Sequence, residues 1–71
     1  MSRIPSRKEL SRTLAMYGAF TASGRILDGN DRDTLAHLRR LQDKLRDDER
    51  REAIVRVIRG LEKIIASGST A

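Results

Sequence analysis

The chain of 71 residues predicts an all-α fold, a small bundle of three helices over about 7–26, 31–46 and 48–67 that associates as a dimer. Three observations predict it. Large apolar residues recur at three- and four-residue spacing, as in Leu35, Leu38, Leu41 and Leu45 and again in Ile54, Val57, Ile58, Leu61, Ile64 and Ile65. The strong breakers are Pro5 near the start, Gly24 with the "DGND" cluster at Asp28–Asp31, and the closing "SGSTA". Ser6 followed by Glu9 has the S-x-x-E form of a capping box. The whole of 1–71 reads as a single helical domain with flexible ends at about 1–5 and 68–71, where Gly68 serves as a C-cap.

The first helix starts at the capping box and meets no proline before Gly24 and the Asp28–Gly29–Asn30 turn, so the spacing carries it to about Ile26. Gly18 lies in its middle, at a cost of about 1 kcal/mol relative to Ala, and its retention suggests close packing. At about 100° per residue, Leu10, Leu14, Tyr17 and Phe20 fall on one side, an ordinary core face. Ala15, Ala19, Ala22 and Ile26 fall on the opposite side. A helix apolar on both sides needs neighbours on both sides. Either the other helices wrap it, or Ala15, Gly18, Ala19, Ala22 and Ile26 form a face for self-association or for a partner protein.

Asp31 or Asp33 caps the second helix, whose leucine stripe faces a core while Arg39, Arg40, Asp43, Lys44 and Arg46 lie around it. "RDDERRE" contains neither Gly nor Pro, so the second and third helices could be partly continuous. Asp47 and Asp48 are good caps, and Asp48, Glu49 and Glu52 suit the positive end of a new helix, which favours a break near Asp47. The third helix places its isoleucines on one face and Arg56, Arg59 and Lys63 on the other. Leu14, Leu38, Leu41, Ile54, Ile58, Leu61 and Ile65 are the expected core.

A chain this short buries only about 60% of the surface its unfolded form exposes, so its core is marginal alone. There is no cysteine to add a disulfide or a thiolate metal site. The start "MSRIPSRKELSR" lacks the apolar stretch of a secretory signal, and the longest uncharged run, Thr13 to Gly24, is shorter than the roughly 20 residues that span a bilayer. The expectation is a cytoplasmic protein with no membrane partner.

Net charge is +5, and residues 1–27 hold Arg3, Arg7, Lys8, Arg12 and Arg25 against Glu9 alone. These five cations form a basic contact surface that could track phosphates. Against that reading, the chain has no zinc-finger ligand set, helix-turn-helix spacing or RNP aromatic pattern.

Signals of catalysis are weak. Asp28 and Asn30 match the first and third positions of a calcium loop, but Arg32, Asp33 and Arg39 stand where a ligand, a glycine and a bidentate glutamate belong. His37 is the only histidine, and Asp33 one turn earlier is more simply an i,i+4 surface contact than an orienting partner. No nucleophile elbow or phosphate-binding glycine loop occurs, so no enzyme, metal or cofactor is expected. The sequence favours a small non-enzymatic regulatory or inhibitory protein that binds another protein through a helical surface as a homodimer. The alternative is a basic dimeric DNA- or RNA-binding regulator.

Overall fold

The computed structural model describes residues 4–67. It contains four helices where the apolar spacing predicted three: α1 (Arg7–Met16), α2 (Phe20–Leu27), α3 (Asp31–Lys44) and α4 (Asp48–Ala66). The expected 7–26 helix is two helices, divided at Gly18.

Hydrogen bonding explains the division. The amide of Gly18 donates to the carbonyl of Ala15 at 3.1 Å and that of Ala19 to Leu14 at 2.8 Å, the paired bonds of a Schellman C-cap. That cap needs its closing residue in the left-handed region, and Gly18 has φ +85°. Without a Cβ, glycine adopts this conformation at no steric cost. Ala19, the residue after it, packs against the core, supplying the apolar contact that accompanies such caps. The same device recurs at the end of α2, where Gly29, φ +84°, donates to Ile26 and Asn30 donates to Arg25.

The other helix ends follow local chemistry. Ser6 Oγ accepts from the Glu9 amide at 3.2 Å and starts α1. Asn30 offers its carbonyl to both the amide and the hydroxyl of fully buried Thr34, at 2.9 and 2.7 Å. The break expected near Asp47 is present: Leu45 turns extended, and the Asp47 carboxylate accepts from the Glu49 amide at 3.0 Å to open α4. α3 and α4 are therefore separate helices.

Each helix packs against its neighbours in the chain, and α4 closes back onto α1. The ring encloses Leu10, Leu14, Ala22, Ile26, Leu38, Ile54, Val57, Ile58, Leu61 and Ile64. Of the expected core residues, Leu41 and Ile65 lie at its edge, half-buried. Phe20, expected inside, is 70% exposed, because the turn at Gly18 reorients everything after it.

The close approach expected of Gly18 occurs instead at Gly60 on α4. A Cβ there would lie 2.8 Å from Pro5 Cγ and 2.9 Å from Leu10 Cδ2, so α1 and its leading proline rest on a bare backbone. The expected tails fall mostly outside the described residues, at 1–3 and 68–71, as does the Gly68 cap. Within 1–5, Ile4 is exposed and Pro5 is half-buried.

Candidate protein-docking surface

The division at Gly18 takes apart the small-residue face that a continuous helix would have carried. Ala22 and Ile26 are fully buried in the chain's own core, and Ala19 is half-buried against it. Ala15 is half-buried, while Gly18 is exposed. These five residues do not form one outward face.

α1 and α2 fold against each other as a hairpin through a polar seam that periodicity did not reveal. Ser11 and Ser23 are both buried, with their hydroxyl oxygens 2.5 Å apart, and the Ser23 hydroxyl also donates to the Ser11 carbonyl at 2.9 Å. Farther along, Arg7 reaches Asp31 in the first turn of α3 with two guanidinium nitrogens, Nη2 to Oδ2 at 2.9 Å and Nη1 to Oδ1. Its hydrogen bond to Asp31 pushes the Arg7 guanidinium pKa up, burial opposes this, and the carboxylate charge adds to the rise.

This pairing changes the basic surface read from the sequence. Arg7 is occupied structurally, and Arg3 lies outside the described residues. Lys8, Arg12 and Arg25 are exposed and make no ion pair among the described residues. Three of the five expected cations thus remain available on the α1–α2 hairpin.

The turn that hides Ala22 and Ile26 opens a cleft beside them. An open hollow of about 270 Å³ is lined by the Tyr17–Ala22 corner, by His37 and Leu41 of α3, by Leu45 just past its end, and by Arg50 and Ile54 of α4. Its lining mixes apolar side chains with polar ones, among them Tyr17, Thr21, His37 and Arg50. Phe20, the first residue of α2, lines it and is exposed, and Met16 at the end of α1 is exposed as well. Among the described residues, no carboxylate lines the cleft. Arg50, which brings it a positive charge, has Nε 3.8 Å from Asp47 Oδ2, with both side chains more than half exposed. An ion pair that long and wet contributes little. On the other side of Tyr17, a second hollow of about 350 Å³ runs between α1 and α4.

Sequence reasoning placed Tyr17 and Phe20 in the core and missed this cleft. The available signal was Gly18 itself. A glycine following a helical run and followed by a small apolar residue fits a C-cap as well as it fits a helix interior.

Asp33 and His37 make no hydrogen bond or ion pair with each other, and His37 instead lines the cleft. The calcium-like stretch forms the Gly29 cap and the start of α3. Among the described residues, no group of three His, Cys, Asp or Glu is placed to hold a metal ion, and no helix is long and apolar enough to cross a membrane. Comparison of the chain with protein-family models, with curated proteins and with solved structures gave no match.

Proposed function

We propose that the protein is a small non-enzymatic regulator or inhibitor that acts by binding another protein through its helical surface. One observation carries this reading: Phe20, a large aromatic residue, is 70% exposed on the lip of a cleft that Leu41, Leu45 and Ile54 also line. Exposed aromatic residues beside apolar pockets are what energetic anchors of protein interfaces are made of. Self-association, expected from the alanine face, loses that support, because Ala22 and Ile26 are used inside the chain.

A lysate of the source organism, treated with nuclease, tests the proposal with the wild-type chain and Phe20→Glu as baits. A partner that survives nuclease and is lost with Phe20→Glu supports it. Capture that disappears with nuclease and is indifferent to Phe20 overturns it.

The exposed cations Lys8, Arg12 and Arg25 favour the second reading, a nucleic-acid-binding regulator. That reading requires retardation of duplex DNA or RNA at low salt. Replacing Lys8 and Arg12 by Gln would then flatten the salt slope by about one unit for each phosphate no longer held.

A further inference from the structure

We propose that the cleft at the α1–α2 corner receives an acidic amphipathic helix from another protein, seating an apolar side chain beside Leu41, Leu45 and Ile54 and pairing a carboxylate with Arg50. This rests on the protein-binding reading and adds the chemistry of the partner.

Size is the first argument. The hollow, about 270 Å³, is small and open, so it would not enclose most of a drug-sized ligand's surface. It suits the side chains of a docked segment better than a free small molecule.

Charge is the second. Arg50 is the one charged side chain among the described residues that line the cleft, and no carboxylate does, so the cleft complements an acidic group. The long, exposed contact between Arg50 and Asp47 leaves the guanidinium able to turn to a better acceptor. Elsewhere on the hairpin Lys8, Arg12 and Arg25 are exposed and make no ion pair among the described residues. A second copy of this chain fits less well, since each copy brings a net charge of +5. A phosphate backbone would use the cations but leave Phe20, Leu41 and Leu45 without an apolar partner.

Helical geometry is the third. A helix brings residues three and four apart to one face, with Cβ atoms about 5–6 Å from each other, so one turn can present both a large apolar residue and an acid. Docking of an amphipathic helix into a groove uses this spacing.

The test uses the full chain as bait against a displayed library of amphipathic helical peptides. Apolar positions are Leu or Phe, and flanking positions draw equally from Glu, Gln and Lys. Enriched peptides should be rich in Glu. Their affinity should fall about ten-fold for Phe20→Glu and for Arg50→Glu. Lys-flanked counterparts should recover binding to Arg50→Glu. Both positions are exposed, and circular dichroism confirms that each variant remains helical. Peptides rich in Gln or Lys that still depend on Phe20 would overturn the acidic partner while sparing the docking site. Absence of enrichment, or binders indifferent to both variants, would overturn both. A wild-type dimer that Phe20→Glu dissociates would assign the cleft to a second copy and overturn the acidic helix.

Discussion

The Arg7 guanidinium holds both carboxylate oxygens of Asp31, tying the first turn of α1 to the first turn of α3. The Asp31 side chain is 4% exposed and that of Arg7 32%. The two partners therefore respond differently to deletion. Arg7→Ala strands a buried carboxylate, whereas Asp31→Ala leaves an arginine that can turn to water.

Arg7→Ala is expected to cost about 2–3 kcal/mol in urea unfolding, below the full penalty of a broken buried pair because Arg7 is partly wet and the α3 N-terminus stabilises the remaining charge. Asp31→Ala should cost less. The raised pKa of Arg7 means its contribution is complete below the ordinary arginine value and lost only as pH climbs through the raised one. Stability across neutral and mildly alkaline pH should therefore show no step from this arginine. Equal losses for the two variants would contradict the burial asymmetry.

Ser11 and Ser23 lend themselves to a double-mutant cycle. Ser23→Ala strands the Ser11 hydroxyl and should cost about 1–3 kcal/mol, Ser11→Ala should cost less because the Ser23 hydroxyl still donates to the Ser11 carbonyl, and removing both should cost less than the sum. Additive losses in thermal unfolding would mean that the two hydroxyls do not act as a pair.

Two glycines test the helix division directly. Gly18 sits at φ +85°, so Gly18→Ala should destabilise by about 1–2 kcal/mol. Gly24 lies within α2, has helical backbone and a Cβ there would meet nothing within 4 Å, so Gly24→Ala should stabilise by about 0.4–1 kcal/mol. A continuous helix over 7–26 would gain from both substitutions. Calorimetry that finds Gly18→Ala stabilising would restore the three-helix reading.

Leu61 is fully buried at the centre of the ring. Leu61→Ala should cost about 2–5 kcal/mol, enough to unfold much of a domain this small. An unchanged thermal midpoint would show the α4 register to be wrong.

How far the sequence reached differs from element to element. The starts at Ser6 and Asp47 were legible because an N-cap is a local bond between a side chain and an amide two or three residues away. The apolar face of α4 was legible because periodicity survives along an unbroken helix, whereas of the α3 leucine stripe only Leu38 is fully buried and Leu35, Leu41 and Leu45 pack at the core's edge. The Ser11–Ser23 and Arg7–Asp31 pairs were not, since they join residues 12 and 24 positions apart that only the hairpin and the ring bring together.

The all-α class, the apolar face of α4 and the positive balance of the first 27 residues follow from residue order alone, while the break between α3 and α4 was favoured by Asp47 and Asp48 but left open. The state of Gly18 does not. Inside a helix that glycine costs about 1 kcal/mol, and in a left-handed cap it costs nothing steric, so local energetics leave the two states close. Folding back at Gly18 buries Leu14, Ala22 and Ile26 in one core and satisfies the seam from Ser11 to Asp31, gains that exist only once the ring closes. The same turn converts Phe20 from an expected core residue into the exposed lip of a cleft. The candidate site was hidden for that reason: its position follows from a choice between two backbone states that only distant packing could make.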